Sequence, residues 1–438
     1  MRTPTHRGTI PGLAGALRRG CAAALVLLAG CAGGSDRPPP PAAANPSSAA
    51  EALPLDQAVA QLATAIVTHA DLPPPGPSGK YPIVIDPWID RVTGAQIATT
   101  QLMQSEIEGL APTAFPQLEL LPFNTESLRR RPLVLLGAIE GVAGSGTDVP
   151  AIGLPGAYRI HGVLADLGSG RVVSNEAAWV RPAAVDPTPT AFYRDSPVST
   201  QEPSTETYLR TLTARKGDPV DPAYLEGLDA QALVTDGGRA YDAGRFPEAL
   251  DLYRRAAGLP DAGHQLRVYT GLYLANQALG RPQQAQAAFG RLIDYGLEQG
   301  RLGVKFLFRP GSTAFPANPA VSGPYAMWLH EIALHARAGD ACLRMTGHAS
   351  PTGSAAANER LSLARADRIR RVLAAQAPGL GPRLAARGAG AREPIVGSGA
   401  DDASDALDRR VEFERVPCSA LQARTAGEDG FDVAGGLP

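Results

Sequence analysis

The N-terminal thirty residues limit most strongly what the rest of this chain can fold into. Four arginines, at positions 2, 7, 18 and 19, precede an apolar run at residues 22–28. A basic segment followed by a short apolar stretch and small residues is typical of a secretory signal. The run is also too short to cross a bilayer as a stable helix. The sequence therefore predicts that residues 1–30 are a signal peptide and that the remaining chain folds outside the cytoplasm.

The apolar run ends in Leu-Ala-Gly-Cys at residues 28–31, and this ending resembles the lipobox of bacterial lipoproteins. The resemblance implies that lipid is attached to Cys31, which then becomes the new N-terminus. Ala32 follows, whereas the inner-membrane retention signal of that family has Asp there. The resemblance thus implies an anchor in the outer membrane, facing the periplasm. The alternative is an ordinary signal peptide with a chance cysteine at position 31.

Cysteine usage predicts one disulfide. The leader contains Cys21 and the lipid would occupy Cys31, so two of the four cysteines remain, Cys342 and Cys418. In an oxidising compartment these two are expected to form an intramolecular disulfide. The sequence has no CxxC or Cys/His metal motif, and we predict neither a metal nor a cofactor.

The charge balance argues against nucleic acid as a partner. The chain carries a net charge of −2, and cleavage of the leader would remove four arginines and no acidic residue. Nucleic-acid binding needs a concentrated basic face, and the acidic balance of this chain argues against one.

The first half of the mature chain is predicted to be a linker followed by a mixed α/β domain. Residues 31–52 are rich in Pro, Ala and Ser, which predicts a disordered linker behind the lipid anchor. Within residues 53–205, apolar spacing predicts helices at 59–69 and 93–110 and strands at 81–85, 118–121 and 132–142. Residues 158–165 and 171–180 alternate around a turn with two glycines, which predicts a hairpin. This element order resembles periplasmic lipoprotein domains such as the penicillin-binding-protein activator LpoB and the curli assembly protein CsgG.

Residues 206–298 are predicted to be helical and to contain a repeat. Gly244, Ala249 and Tyr253 recur 36 residues later as a glycine, an alanine and a phenylalanine. This period resembles tetratricopeptide units, in which a small residue lets paired helices approach and an aromatic ring fills the gap. Two units cannot bury a solenoid face alone, so we expect them to pack on a neighbouring domain. The segment is either a groove for a partner or a helical spacer.

Residues 299–418 carry four motifs in a specific order: GHASPTG at 347–353, NERLSLARA at 358–366, GAGAREPIVG at 388–397 and DRRVEF at 408–413. The apolar pattern predicts strands at 304–308, 342–347, 383–388 and from 408, with helices near 324–338 and 355–374. Together these features resemble the OmpA-like peptidoglycan-associating domain. The resemblance implies a βαβαβ-type α/β sandwich, so the predicted fold class is multidomain α/β. Residues 419–438 lack apolar periodicity and are predicted to be a disordered tail.

The helix at 355–374 carries the candidate site. Leu361, Ile369 and Val372 share one helical stripe that is expected to face the core, and Arg365 lies inside it. A guanidinium is costly there unless a carboxylate or several carbonyls meet it, and its planar fork suits a carboxylate. In the family that this domain resembles, the matching Arg grips the carboxylate of diaminopimelate in the wall peptide. The resemblance implies these peptidoglycan-binding positions: Ser350, Asn358, Leu361, Arg365 and Arg410.

Two positions depart from the family pattern. The family has an Asp at position 350 that takes the ammonium group of the ligand, and this chain has Ser350. A hydroxyl accepts a hydrogen bond but supplies no charge, so capture is expected to weaken on the order of tenfold. Asp408 stands where the family usually has Asn. An internal ion pair of Arg365 with Asp405 or Asp408 is therefore the alternative to ligand contact, and both could hold together.

Two functions are compatible with these features. In the first, the lipid holds the outer membrane, the C-terminal domain holds peptidoglycan, and the chain is a tether between envelope layers. In the second, the α/β domain and the helical repeat recruit an envelope protein machine, and wall binding is weak or lost. The sequence lacks GxSxG and HExxH motifs, and its seven histidines are scattered. We therefore predict a binding protein and not an enzyme, with His348 a hydrogen-bonded structural residue.

Overall fold

The computed structural model of the chain describes residues 52–76, 78–142, 155–199, 202–260, 265–339, 342–395 and 408–421. Several predictions fall outside these ranges: the signal peptide, lipid attachment at Cys31, nearly all of the linker, the partner Asp405, and the tail from residue 422. Among the described residues, no helix has the length and apolar character needed to cross a membrane.

The N-terminal half is built on a mixed sheet of six strands. These are β1 (Tyr81–Ile85), β2 (Ile89–Asp90), β3 (Leu118–Leu120), β4 (Leu133–Val142), β5 (Ala157–Asp166) and β6 (Arg171–Val180). The strand order is β3-β1-β4-β5-β6, with β2 beside β4. Strand β1 is parallel to both of its neighbours, and β4, β5 and β6 are antiparallel. The predicted hairpin is therefore found, and the Asp166 carboxylate closes its turn by accepting the N–H groups of Gly168 and Ser169.

Helices cover both faces of this sheet. They are α1 (Leu55–Thr68), α2 (Ala98–Ala114), α3 (Thr125–Arg129), α4 (Ala191–Asp195) and α5 (Pro203–Thr213). Helices α1 and α2 pack on the face formed by Ile83 and Leu135, whereas α5 packs on the opposite face against Val84 and Val134. Successive strand residues point to opposite faces, so a sheet covered on both sides buries continuous apolar runs. That explains why the apolar segments of the sequence predict these strands.

Helix α2 begins five residues later than the predicted start at residue 93. The Asp90 carboxylate accepts hydrogen bonds from the backbone N–H and the hydroxyl of Thr93. Gly94 follows with a φ of 69°, a left-handed conformation that favours glycine. This turn delays the helix until Ala98, where the hydroxyl of Thr100 accepts the N–H of Ile97.

The middle of the chain is a set of four successive helices: α6 (Pro222–Asp242), α7 (Phe246–Ala257), α8 (Leu266–Ala278) and α9 (Pro282–Glu298). The 36-residue repeat places equivalent residues in equivalent environments. Gly244 and Gly280 both have positive φ in the turns that precede α7 and α9, and Tyr253 and Phe289 are both fully buried. The ring of Phe289 stacks on Trp328 at a centroid distance of 5.6 Å. The repeat thus packs on the C-terminal part of the chain, as expected of a pair too short to bury its own face.

The C-terminal part is a four-stranded sheet with helices. It comprises β7 (Arg301–Val304), α10 (Pro319–Ser322), α11 (Tyr325–Ala338), β8 (Cys342–His348), α12 (Ala355–Gln376), β9 (Leu384–Gly390) and β10 (Val411–Val416). The order is β7-β10-β8-β9. Strand β10 is antiparallel to β7 and β8, and β9 runs parallel to β8 after the α12 crossover. The predicted fold class, multidomain α/β with a C-terminal sandwich of this kind, is confirmed. The division of the chain into named domains stays a prediction.

The predicted strand at 304–308 is wrong in position. Strand β7 ends at Val304, because the N–H of Phe306 turns back to the carbonyl of Val304 and that of Lys305 bonds to Pro197. Phe306 and Phe308 are nevertheless buried. Their alternation reflects the packing of a loop on the core. In the sequence, this pattern is indistinguishable from that of a strand.

The predicted disulfide is present. Cys342 and Cys418 are bonded, with 5.0 Å between their Cα atoms and a sequence separation of 76. Cys342 begins β8 opposite Val416 of β10. The bond therefore fastens the end of the last strand to its neighbour.

Candidate functional site

The candidate site lies on helix α12, whose buried face differs by one position from the predicted stripe. The buried residues are Asn358, Ser362, Arg365, Ala366, Ile369 and Leu373. Leu361 and Val372, which were predicted to face the core, are only half-buried.

The reason for the shift is the close contact between α12 and the sheet. A Cβ atom on Gly347 would collide with the carbonyl of Ser362, and one on Gly388 would come within 2.6 Å of the carbonyl of Glu359. Two glycines on adjacent strands thus let the helix backbone rest directly on β8 and β9. The hydroxyl of Ser362 accepts the N–H of Gly390 at 2.9 Å and fixes this orientation. Ser362 therefore takes the innermost position, and Leu361 rotates toward the rim.

Arg365 is buried, as predicted, with 2% of its surface exposed. Its Nε donates to the carbonyl of Ser312 at 3.1 Å and its Nη2 donates to the carbonyl of Arg309 at 3.3 Å. The guanidinium carbon also lies 5.1 Å from the centre of the Phe308 ring. Main-chain carbonyls and an aromatic face are favourable neighbours for a buried guanidinium. The loop after β7 therefore holds the plane and direction of this cation.

Asn358 lies on the same face two turns before Arg365. It is 7% exposed, and among the described residues its side-chain amide has no hydrogen-bond partner. Ser354 caps the start of the helix by accepting the N–H of Ala357. Ser350 is buried in the loop between β8 and α12, next to Ala349, whose N–H donates to the carbonyl of Gly390 at 2.8 Å. The ends of β8 and β9 and the start of α12 therefore meet around these polar groups.

Arg410 stands immediately before β10 and is buried. Its Nε donates to Glu412 at 2.8 Å, and its Nη2 donates to the carbonyl of Glu393 at 3.3 Å. Burial opposes ionisation of Glu412, but the nearby His348 and Arg410 side chains lower its pKa to about 2. The Arg410–Glu412 pair is thus ionised at neutral pH and holds the guanidinium in one direction.

Asp408 and His348 lie beside the site. Asp408, a possible partner of Arg365, is fully buried, and its carboxylate accepts the N–H of Ile395 at 2.6 Å. His348 was predicted to be hydrogen-bonded, but among the described residues both ring nitrogens are buried without a hydrogen-bond partner. The carboxylates of Glu393 and Glu412 lie 3.9 and 3.7 Å from its two nitrogens. That prediction for His348 was wrong in its geometry, although the residue is buried.

The sequence did not reveal what holds Arg365. Its carbonyl partners belong to residues more than fifty positions earlier in the chain. The available signal was the pair Gly311-Ser312 after the aromatic run, which marks a turn but not its neighbours. Among the described residues, no group of three His, Cys, Asp or Glu side chains could hold a metal ion.

Comparison with solved structures gives several similar chains, each with a TM-score of 0.22 against this protein. The peptidoglycan-associated lipoprotein from Burkholderia pseudomallei is 23% identical, over 25% of this chain and 88% of that chain. The cell wall anchor of the T6SS from Pseudomonas aeruginosa is 25% identical, over 27% and 80%. The periplasmic domain of Helicobacter pylori MotB is 18% identical, over 31% and 85%. No curated protein matches the chain.

The family comparison is specific to one region of the chain. The model of the OmpA family matches residues 307–406. That range contains α11, β8, α12 and β9, and with them Ser350, Asn358, Leu361 and Arg365. The C-terminal part of this chain is therefore a domain of the OmpA family.

Proposed function

We propose that this protein is an outer-membrane lipoprotein that binds peptidoglycan non-covalently and so tethers two layers of the envelope. In this proposal lipid on Cys31 holds the membrane, and the C-terminal domain captures the diaminopimelate-containing stem peptide. The observation that carries the proposal is Arg365, a buried guanidinium oriented by two backbone carbonyls. On the same helical face lies the amide of Asn358, which has no hydrogen-bond partner within the part of the chain that the structure describes.

Each site residue would have a distinct part in capture. The planar fork of Arg365 suits the two oxygens of a carboxylate, and its orientation by the loop removes part of the entropy cost of binding. The Asn358 amide could donate to or accept from the same peptide group. Leu361, which is half-buried at the rim, would contact the apolar stem of the ligand. Arg410, held by Glu412, would contribute a second fixed cation.

Ser350 sets the expected strength of the interaction. It occupies the position where the family has an acid for the ammonium group of the ligand, and it is buried in the loop beside α12. A neutral hydrogen bond contributes about 1 kcal/mol and a charged one about 1.5–3 kcal/mol. We therefore expect binding on the order of tenfold weaker than with an acid at that position.

Sedimentation of the full chain with purified sacculi tests the proposal. Wild type should sediment with the sacculi, and Arg365→Ala should lose most of this binding. Arg371→Ala is the matched control: Arg371 is an exposed arginine of the same helix, paired with Asp367 at 3.0 Å. Equal loss in both variants would mean that nonspecific charge, and not the site, drives sedimentation. Retention of binding by Arg365→Ala would exclude Arg365 as the peptidoglycan contact.

Restoring the acid gives a test of opposite sign. Ser350→Asp should increase sacculus binding about tenfold if an ammonium group lies at this position. Sacculi whose stem peptides carry Lys in place of diaminopimelate provide the control, because they lack the carboxylate that Arg365 would bind. No gain for Ser350→Asp would contradict the two-ended clamp but would leave the Arg365 contact standing.

The second candidate is an envelope scaffold that recruits a wall synthase or secretion assembly through its α/β and helical parts. The uncharged Ser350 favours it, because it weakens the expected wall contact. In that case wild type would fail to sediment with sacculi, and in-cell crosslinking from the exposed faces of α7 and α9 would capture a protein partner.

A further inference from the structure

A cavity of about 240 Å³ lies where the N-terminal sheet, α5, α6 and the start of α8 meet. Its lining includes Tyr208, Tyr224, Gly227, Gln231, Gln265 and Arg267. None of these residues belongs to the OmpA family domain, and the proposed function does not use them. An apolar cavity with a few convergent polar groups is the usual form of a small-molecule site.

Three hydroxyl groups of the cavity wall donate their protons to protein acceptors. The Tyr224 hydroxyl donates to Asp86 at 2.7 Å, and the Tyr208 hydroxyl donates to the carbonyl of Gly137 at 2.8 Å. The Thr207 hydroxyl donates to the carbonyl of Ser204 at 2.9 Å. None of these three hydroxyl groups has a further proton to give, and the Tyr208 oxygen already accepts the N–H of Gly137 at 2.9 Å. An occupant of the cavity therefore meets hydrogen-bond acceptors at Tyr224 and Thr207.

Gln265 adds a further hydrogen-bond acceptor to the cavity wall. It is 1% exposed, and its side-chain nitrogen donates to the carbonyl of Gly227 at 3.3 Å. Among the described residues its side-chain oxygen is buried without a hydrogen-bond partner. A buried acceptor without a partner costs about 1–3 kcal/mol. A ligand that brings an N–H group to this oxygen would remove that cost.

The charges around the cavity favour a cation. Arg267 is the positive group of the wall, and its Nε donates to the buried Glu202 at 2.6 Å. Its Nη2 donates to Ser204 and Gln231, so the guanidinium is committed to protein groups. Asp86 lies behind Tyr224, fully buried. Burial raises its pKa to about 6, so it is mostly ionised at neutral pH.

The entrance adds a further negative charge, since Glu226 is an exposed lining residue. Arg267 is paired with Glu202, and Arg239, which also acts on Asp86, is paired with Asp236. The carboxylates of Asp86 and Glu226 therefore add negative charge to this region. Tyr208 and Tyr224 present rings at a centroid distance of 6.1 Å, and aromatic faces attract organic cations.

We propose that this cavity binds a small organic ammonium ion, with its N–H groups directed at the Gln265 oxygen and its apolar body against Tyr208 and Tyr224. The volume lies between that of a cavity which accommodates benzene and that of a typical drug site. The occupant therefore has about ten non-hydrogen atoms. The site is independent of the peptidoglycan-binding proposal.

Calorimetric titration of the full chain with three probes of similar shape tests the proposal. The probes are 2-phenylethylammonium, 2-phenylethanol and phenylacetate, which differ in charge at one end. The ammonium ion should bind at least about tenfold more tightly than the alcohol, since it adds charged hydrogen bonds. Phenylacetate should not bind. Equal or tighter binding of phenylacetate would overturn the proposal, and so would the absence of binding by all three probes up to about 10 mM.

Two variants assign the binding to this cavity. Gly227→Leu should abolish it by filling the space, because a Cβ at Gly227 meets only the Gln265 nitrogen, at 3.9 Å. Gly109→Leu is the matched control on an exposed helical position with nothing within 4 Å of its Cβ, and it should bind as wild type does. Gln265→Leu should weaken the ammonium ion about tenfold and the alcohol less. If Gly227→Leu remains folded by circular dichroism and still binds the ammonium ion, the cavity is not the site.

Discussion

The helical repeat is organised around one aromatic ring held between two glycines. Tyr253 of α7 is fully buried. A Cβ atom on Gly237 of α6 would come within 2.9 Å of this ring, and one on Gly271 of α8 would collide with three of its atoms. The ring of Phe192 stacks beside it at a centroid distance of 5.8 Å. The ring of Tyr253 is therefore enclosed by neighbours and cannot shift to make room for an added atom.

Gly271→Ala is expected to destabilise the protein, although alanine is the better helix former. Real Cβ atoms essentially never approach a heavy atom closer than 3.0 Å, so either the helices must separate or the ring must leave its rotamer. Overpacking of a filled core costs typically 1–3 kcal/mol, and the lack of free space places this site near 3 kcal/mol. Against this cost, alanine stabilises a helix by about 1 kcal/mol relative to glycine. The net loss in free energy of unfolding is therefore about 2 kcal/mol.

Urea unfolding followed by circular dichroism measures this loss, and a double-mutant cycle isolates its cause. In a Tyr253→Leu background the added methyl group has room, so Gly271→Ala should become stabilising by about 1 kcal/mol. The coupling between the two positions should thus be about 3 kcal/mol. Gly109→Ala, on an exposed helical position with open space, should stabilise in both backgrounds. If Gly271→Ala has the same effect with and without Tyr253, within about 0.5 kcal/mol, the packing argument is refuted.

Three further outcomes follow from the described contacts. Cys418→Ser should lower the free energy of unfolding by about 4 kcal/mol, because the disulfide closes a loop with a sequence separation of 76; a reductant should reproduce the loss in wild type and leave the variant unchanged. The folded-state pKa of Glu412 is depressed from 4.5 to about 2. Ionised Glu412 therefore stabilises the fold above pH 4.5, and this contribution is lost as the pH falls toward 2. In urea unfolding at a series of pH values, Glu412→Gln should lack this part of the acid dependence. The pKa of Asp86 is raised by burial from 3.8 to about 6, so the free energy of unfolding should fall as the pH rises from about 4 to 6. If the Asp86→Asn variant shows the same pH dependence as wild type, another group titrates in this range.

The elements that the sequence predicted well are those whose signals are local. The hairpin of β5 and β6 follows from alternation and from a turn that Asp166 closes with its own carboxylate. The repeat follows from glycines that need positive φ at the same place in each unit. In both cases the residues that decide the structure lie within a few positions of one another.

The errors occur where a distant part of the chain decides. The buried stripe of α12 is set by Gly347 and Gly388 on two strands, and this contact moves Ser362 inward and Leu361 outward. Helical periodicity alone cannot supply that rotation. The buried pair of Glu202 and Arg267 was not predicted at all, because the two residues are 65 positions apart and each resembles an ordinary surface residue.

The candidate site combines both kinds of information. A cation on an apolar helical stripe was visible in the sequence, so Arg365 could be singled out. Its orientation depends on the carbonyls of Arg309 and Ser312, which come from the loop after β7. Such carbonyls carry only partial negative charges. They fix the plane of the guanidinium but do not neutralise its positive charge as a carboxylate would. Sequence could therefore predict that Arg365 lies on the buried face of this helix but not how it is held.

The position of β10 has a consequence for the tether proposed above. It is the last strand that the structure describes, yet it lies inside the sheet between β7 and β8, and Arg410 stands at its start. If β10 detached, the sheet would lose two of its three strand pairings at once. The Cys342–Cys418 disulfide fastens the other end of that strand to β8. A strand near a chain end is otherwise prone to fray, so this covalent bond keeps β10 paired at the end where local opening would begin.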